Sequence, residues 1–142
     1  MRPIALCLAA LLPLAAAGCG DDVEEISSSH YMLDLLDRYW QQARQAVETG
    51  SEDLNCFRPI QINLNGRVLV SVEDSYEGDN KAEVVAKLKA FTETFNARLL
   101  PLLNTSARAV CLRKGVTRDR FAKAFAAADD AYRRLEQLTK TK

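Results

Sequence analysis

The strongest structural signal in this chain lies in residues 60–72, Ile60-Gln61-Ile62-Asn63-Leu64-Asn65-Gly66-Arg67-Val68-Leu69-Val70-Ser71-Val72. Apolar and polar residues alternate along much of this stretch, and a period of two is typical of β-strands that bury one face. The Asn-Gly dipeptide at its centre is the one most favoured in tight hairpin turns. The stretch therefore predicts a β-hairpin.

The length of the hairpin loop follows from which side chains face inward. A three-residue loop, Leu64-Asn65-Gly66 with its glycine in the left-handed conformation, pairs Ile62 with Val68 and Ile60 with Val70. This register places the β-branched residues on one face, whereas a two-residue Asn-Gly turn divides them between the two faces. We therefore expect the three-residue loop.

Three segments outside the hairpin have the spacing of amphipathic helices, with apolar residues three and four positions apart. The first ends at Gly50, since glycine is favoured just beyond a helix C-terminus. The second begins after Asn80 and ends near Pro101, and the third begins after Thr117 as its N-cap. The apolar stripes of the three predicted helices are Met32, Leu35, Leu36, Tyr39, Trp40, Ala43, Ala46 and Val47, then Val84, Val85, Leu88, Phe91, Phe95 and Leu99, then Phe121, Ala124, Phe125, Ala128, Tyr132, Leu135 and Leu138.

Residues 107–113 fit either a third strand or a short helix. We favour a strand, because a strand beside the hairpin would bring Cys111 close to Cys56. The predicted fold class is therefore α+β, with three main helices packed on a small antiparallel sheet. The predicted order is helix, strand, strand, helix, possible strand, helix.

The chain begins with the features of an export signal. Arg2 precedes an apolar run over residues 4–17, which is too short to span a bilayer core of about 30 Å, and small residues lead into Cys19. The sequence Ala16-Ala17-Gly18-Cys19 resembles the lipobox of bacterial lipoprotein precursors, although leucine is commoner at the first of these positions. The resemblance implies that residues 1–18 are removed and that the cysteine then carries diacylglycerol and an acyl chain such as palmitate.

This resemblance implies an organisation for the whole chain. Residues 1–18 are the signal peptide, residues 19–29 a lipidated flexible tether, and residues 30–142 a single small domain. We expect a cell-envelope protein anchored by lipid at the periplasmic face, and Gly20 after the cysteine favours the outer membrane over the inner membrane. The alternative is an ordinary secreted protein with an incidental cysteine at its cleavage site.

Two cysteines remain once Cys7 leaves with the signal peptide and Cys19 carries lipid. In an oxidising periplasm an even number of cysteines is typical of disulfides, so we predict a bond between Cys56 and Cys111. Two free thiols or a pair of metal ligands are the alternatives. Because zinc needs four ligands and His30 is the single histidine of the chain, no metal site is expected.

Charge is balanced overall but unevenly distributed. The chain has 19 Lys and Arg against 19 Asp and Glu, so we expect no nucleic-acid partner, which usually needs a basic excess. Residues 19–56 carry a net negative charge and residues 113–142 a net positive charge. One interpretation is that the first and last helices lie next to each other on one surface, and the other is that the basic segment binds a partner. If a partner groove exists, we expect it between the alanine-rich face of the last helix and the first helix. The residues of the candidate basic partner-binding face are Arg118, Arg120, Lys123, Arg133 and Arg134.

No known catalytic motif is present, whether a Ser-His-Asp or Cys-His set, a phosphate-binding glycine loop or a His-Glu-x-x-His sequence. We therefore expect no enzymatic activity, and no cofactor beyond the covalent lipid on Cys19. Two functions fit these features. One is a membrane-anchored binding or assembly accessory, pilotin-like or structural, with a protein partner in the envelope. The alternative is a periplasmic inhibitor or immunity protein that presents the acidic loop of residues 73–80 to an envelope-targeting enzyme.

Overall fold

Four helices of 11 or more residues make up most of residues 28–140, the part of the chain that the computed structural model describes. A single helical turn and two short strands connect them. The domain is therefore mostly helical with a small antiparallel sheet, an α+β arrangement that has four long helices where three were predicted. The elements in chain order are α1 (Ser28–Glu48), α2 (Phe57–Pro59), α3 (Asn65–Ser75), α4 (Lys81–Thr94), β1 (Leu103–Thr105), β2 (Val110–Leu112) and α5 (Arg118–Thr139).

The hairpin prediction for residues 60–72 was wrong, because this stretch is helical. The turn α2 passes into a wide helical turn over Ile60–Leu64, which leads into α3. Every fourth residue along this path faces the core. Residues four positions apart lie on the same face of a β-strand and also on nearly the same face of a helix, so this spacing does not distinguish the two. These buried residues are Ile60, Leu64, Val68 and Val72.

The left-handed residue that separates α2 from α3 is Asn63, with φ of 71°, whereas the hairpin prediction assigned this conformation to Gly66. Asparagine adopts left-handed backbone angles more readily than most residues with a side chain. Ile62 before it also departs from helical angles, so the chain bends here. Gly66 lies in the first turn of α3 instead.

The other three helices follow the sequence predictions closely. Gly50 has φ of 67° and ends α1, where Ser51 N donates to the Ala46 carbonyl at 2.9 Å. The α4 path continues through Phe95–Leu99 and a last turn at Leu100–Leu102 that contains a proline. Thr117 caps α5, because its hydroxyl oxygen accepts from Arg120 N at 3.2 Å.

The two strands pair in antiparallel register, with Leu103 opposite Leu112 and Thr105 opposite Val110. The strand expected within residues 107–113 is therefore present as β2, but its partner is β1 and not a hairpin over residues 60–72. Between the strands, the Ser106 hydroxyl accepts from the backbone N–H groups of Arg108 and Ala109, which closes a tight turn.

A single aromatic-rich core lies at the centre of the four long helices. The backbone of α1 packs on α3, that of α3 on α4, and that of α4 on α5. Between α1 and α5 the space is filled by Trp40, whose ring is fully buried and stacks on Phe125 at 5.1 Å between centroids. Further rings meet Trp40 edge-on or tilted, a geometry that aromatic pairs favour. They are Phe57, Phe91, Phe95 and Tyr132.

Candidate functional site

Within residues 28–140, the large apolar side chains that are more than half exposed lie on one side of the domain. They are Tyr31 on α1, Ile62 at the bend before α3, and Val70 on α3, exposed by 52%, 56% and 57%. Isolated exposed apolar residues are common, but a contiguous group marks a surface that another molecule covers. These three residues therefore identify a candidate binding surface.

The three residues line a groove between α1 and α3. One part, of about 820 Å³, contains Val70 and extends from Ser28 to Asp74. The adjoining part, of about 490 Å³, contains Tyr31 and Ile62. Both parts include Met32 and Arg67, so they adjoin at these two side chains. We call the two parts together the α1–α3 groove.

Helix geometry explains why Val70 faces this groove. Val68 and Val72 are fully buried, and Val70 lies two residues from each of them, which rotates it by about 200° around α3. Ile62 faces outward because the chain bends at Ile62 and Asn63. The helical path that buries every fourth residue from Ile60 onward therefore leaves these two side chains on the outer surface.

Polar groups border the groove. The Ser28 and Ser71 hydroxyl groups are 3.0 Å apart, which ties the start of α1 to α3. Arg67 and Asp74 are exposed and lie seven residues apart on α3. Neither forms a salt bridge with any residue in the described range 28–140. The groove therefore combines an apolar floor with one cation and one anion that are open to a partner.

A different cluster of polar groups lies between α1 and α5. Asp129 is 7% exposed and accepts from Trp40 Nε1 at 2.8 Å and from Arg44 Nε at 2.6 Å. Arg133 Nε donates to its second oxygen at 3.0 Å. Arg44 also reaches Glu136, with Nη2 and Oε2 3.1 Å apart. These groups satisfy one another and join the two helices.

The charges of this cluster change the pKa of Glu136. Partial burial opposes ionisation of Glu136, but hydrogen bonds and charges from Arg44 and Lys140 outweigh it and lower its pKa to about 2. Lys140 Nζ lies 2.7 Å from Glu136 Oε1 and 3.2 Å from Asp37 Oδ2. Glu136 therefore remains charged across the range in which most proteins work.

A cleft of about 510 Å³ opens beside this cluster, between α1, the loop after α3 and the end of α5. Tyr132 donates its hydroxyl to Asp37 Oδ1 at 2.8 Å, and burial together with the Asp37 carboxylate raises the pKa of that phenol. The same carboxylate also accepts from Lys140 and Gln41. Asp37 is therefore already paired within the chain, and the cleft is lined by leucines of α1 and α5 together with the exposed carboxylate of Glu77.

The predicted basic face is largely engaged in contacts of its own. Arg118 donates to the Ser51 carbonyl at 3.2 Å, and Arg133 and Arg134 pair with Asp129 and Asp130 one turn earlier. The remaining two residues of this face, Arg120 and Lys123, are exposed on α5. All five residues are nevertheless exposed, so a partner-binding role for this face remains a prediction.

The first and last helices are in contact, but the charges at their interface are the reverse of the acidic and basic character expected of each helix. The cation at the interface is Arg44 on α1, and its partners are Asp129 and Glu136 on α5. The alanine-rich part of this interface is closed, since Ala43 on α1 and Ala128 on α5 are fully buried, and the space between the two helices opens in the cleft towards the end of α5. The α1–α3 groove lies on the other neighbour of α1, helix α3.

The two cysteines lie near each other but are not bonded. The Asn55 side chain accepts from Val110 N at 3.0 Å, so the residues that precede Cys56 and Cys111 are in contact. Cys56 is half-buried, and burial raises the pKa of its thiol to about 11. Cys111 is exposed on β2, and its thiol faces the Asn104 carbonyl at 3.6 Å. The predicted disulfide therefore remains a prediction.

Other predicted features lie partly or wholly outside the described residues. Cys19, the signal peptide over residues 1–18 and residues 19–27 of the tether all lie outside residues 28–140. The last two tether residues belong to the first turn of α1. The acidic segment proposed for an inhibitor is split, because residues 73–75 belong to α3 and the remainder forms the loop before α4.

Within residues 28–140 no helix is long and apolar enough to cross a bilayer, and no group of three or more His, Cys, Asp or Glu side chains is arranged to hold a metal ion. Comparison of the chain with protein-family models, with curated proteins and with solved structures finds no match. The functional argument therefore rests on the surface of this domain.

Sequence reasoning missed the α1–α3 groove, although one signal for it was present. If residues 57–72 are placed on a helix, Ile62 and Val70 fall outside the stripe of buried residues. Large β-branched side chains outside the buried stripe of a helix are the pattern that marks such a surface.

Proposed function

We propose that this protein is a lipid-anchored protein of the bacterial cell envelope that acts as a binding or assembly accessory and holds a protein partner in the α1–α3 groove. The observation that carries this proposal is that Tyr31, Ile62 and Val70, all more than half exposed, line the two adjoining parts of this groove. Covering apolar surface stabilises a complex by roughly 25 cal/mol per Å² before the costs of association.

The form of the groove favours a macromolecular partner over a small ligand. Small-molecule sites are usually enclosed cavities with a few converging polar groups. The α1–α3 groove is open along its length and is bordered by widely spaced charges. These features are those of a surface that receives a segment of another protein.

The groove also includes Ser28, which is close in sequence to the proposed anchor. Helix α1 begins at Ser28, nine residues beyond Cys19, and nine extended residues reach at most about 32 Å. If Cys19 is lipidated, the groove operates close to the bilayer, where outer-membrane components are assembled. Outer-membrane attachment at the periplasmic face is part of this proposal.

The loop after α3 supports an accessory over an inhibitor. An inhibitor blocks an active site with protruding side chains, but Tyr76 in this loop is buried and donates its hydroxyl to Asn80 at 3.0 Å. Asn80 in turn donates to the Leu138 carbonyl at 3.3 Å, which ties the loop to α5. The loop therefore packs against the domain instead of extending from it.

Site-specific photo-crosslinking in intact cells tests the proposal. A benzophenone amino acid is placed at Val70 in the groove, and in a matched chain at Lys123 on α5, where the side chain is also exposed. We expect a defined adduct with one envelope protein from position 70 and none from position 123. Adducts of equal yield from both positions, or an adduct from position 123 alone, would contradict the proposed docking surface.

A further inference from the structure

We infer that the partner segment held in the α1–α3 groove is an amphipathic helix that places a carboxylate opposite Arg67 and a cation, about two helical turns away, opposite Asp74. This inference rests on the proposed function and specifies its partner. It follows from the walls of the groove, from its length and from the two open charges on α3.

The walls of the groove select a helix over an extended strand. A peptide that binds as a strand needs an exposed sheet edge with free backbone donors and acceptors. The groove is formed by α1, α3 and the bend between α2 and α3, whereas β1 and β2 do not line it. A helix satisfies its own backbone hydrogen bonds and presents only side chains, so it suits walls of this kind.

The length of the groove matches a few turns of helix. On α1 the groove extends from Ser28 to Tyr39, which at 1.5 Å per residue is about 17 Å, or roughly three turns. Apolar residues at spacings of three and four on the partner would follow its floor, where Met32, Ile62 and Val70 lie.

The two open charges define the order of charges on the partner. Arg67 and Asp74 are separated by seven residues of α3, which corresponds to about 10 Å along the helix. A partner helix that lies along α3 therefore gains most from an acidic and a basic side chain about seven residues apart. Such complementary charges fix the direction in which a helix lies in a groove.

The same features disfavour a lipid surface as the occupant. A lipid surface contacts convex apolar patches with a basic border, whereas the border of this groove includes the carboxylate of Asp74. A second copy related by a two-fold axis would also place Asp74 opposite Arg67. An adduct with a second copy is therefore one of the outcomes that overturn this inference.

The test begins with the adduct formed from position 70, whose partner segment is mapped by mass spectrometry and synthesised as a labelled peptide. Binding of this peptide to the full-length chain in nanodiscs is followed by fluorescence anisotropy. We expect Arg67→Glu to weaken binding at least tenfold, and Arg108→Glu, at an exposed arginine outside the groove, to leave it unchanged. Replacing the facing carboxylate of the peptide by lysine should restore binding to the Arg67→Glu chain.

Helical binding is tested separately. A proline at the centre of the peptide should abolish binding, because proline removes a helical hydrogen bond and clashes with the preceding turn. Circular dichroism of the Arg67→Glu chain checks that its fold is retained, and Arg67→Gln provides a milder variant if it is not.

The possible failures are distinguishable. A mapped segment without apolar residues at spacings of three and four, or binding that survives both the proline and Arg67→Glu, overturns this inference and leaves the proposed function intact. An adduct only with lipid, with a second copy, or with residues 20–27 of the same chain overturns both. So does the absence of any adduct from position 70.

Discussion

The indole Nε1 of Trp40 donates to Oδ1 of Asp129 at 2.8 Å, and both side chains are buried between α1 and α5. A buried carboxylate is costly unless charged or hydrogen-bonded partners surround it. Asp129 has such partners in Arg44 and Arg133, and the same oxygen accepts from Trp40 and Arg44. One carboxylate therefore anchors the central aromatic residue of the core and the main ion pair between the first and last helices.

Removal of this carboxylate should destabilise the domain strongly. Asp129→Ala leaves Trp40 Nε1 without its acceptor and Arg44 without one of its two ion-pair partners. We expect a loss of about 3–5 kcal/mol in the free energy of unfolding, as for other broken buried ion pairs. Urea unfolding followed by the fluorescence of Trp40, the single tryptophan of the chain, measures this loss.

The adjacent residue provides the control for this measurement. Asp130 pairs with Arg134 one turn later, but both side chains are exposed. Asp130→Ala should therefore cost less than about 1 kcal/mol. Equal losses for the two variants would show that the Trp40–Asp129 contact is not the connection that holds α1 to α5.

Acid should weaken the same interface through Glu136. The pKa of this group is lowered from 4.5 to about 2 in the folded chain, so its contribution to stability is fully present above about pH 4.5. This contribution decreases as the pH falls towards 2. Glu136→Gln should therefore flatten the dependence of stability on pH between about 4.5 and 2, whereas Glu93→Gln, at an exposed residue on α4, should not. Unfolding curves measured across this range check both expectations.

The helical path of residues 60–72 makes a prediction that a hairpin cannot make. Val68 is fully buried and Val70 is 57% exposed, so the same truncation should have very different effects. We expect Val68→Ala to cost about 2 kcal/mol, from lost burial and the cavity that remains, and Val70→Ala to cost almost nothing. Similar losses for the two variants would favour the hairpin register, in which both valines face inward.

Three of the four long helices could be predicted from the sequence, because the spacing of their buried apolar residues fits a helix and does not fit a strand. Along α4 and its continuation over Phe95–Leu99, the residues Val84, Leu88, Phe91, Phe95 and Leu99 are spaced by three and four, and every one is fully buried. Gly50 ends α1 and Thr117 caps the start of α5, both as predicted. In these segments local preference and tertiary packing agree.

Residues 57–72 could not be assigned in the same way. Ile60, Leu64, Val68 and Val72 are spaced by four, which satisfies a strand and a helix equally. The β-branched residues and the Asn-Gly pair favoured a strand locally, but packing of α3 between α1 and α4 outweighed that preference. The α1–α3 groove was missed for the same reason, since the hairpin register buries Ile62 and Val70.

The cysteine pair gives a redox prediction. In protein isolated from the envelope we expect Cys56 and Cys111 to be bonded, because Asn55 and Val110 already hold the two segments together. Burial raises the pKa of the Cys56 thiol to about 11, so this thiol should be the slow partner when a periplasmic disulfide oxidant forms the bond. The chain-entropy model gives the bond a stabilisation of about 4 kcal/mol.

Peptide mapping under non-reducing conditions and the melting temperature before and after reduction measure this bond. The Cys56→Ala and Cys111→Ala variants should both melt at the temperature of the reduced wild-type chain. Two free thiols in protein isolated from cells without reductant would contradict the predicted bond.

The most direct test of the central claim is partner recovery with the chain expressed from its full-length sequence, in cells that would carry out the proposed lipidation. The comparison is between Val70→Glu, which places a charge on the floor of the α1–α3 groove, and Lys123→Glu, which reverses a charge on the exposed face of α5. We predict that Val70→Glu reduces recovery of the envelope partner at least tenfold while Lys123→Glu leaves it unchanged. Full recovery with Val70→Glu, or loss only with Lys123→Glu, would contradict the assignment of the groove as the binding surface.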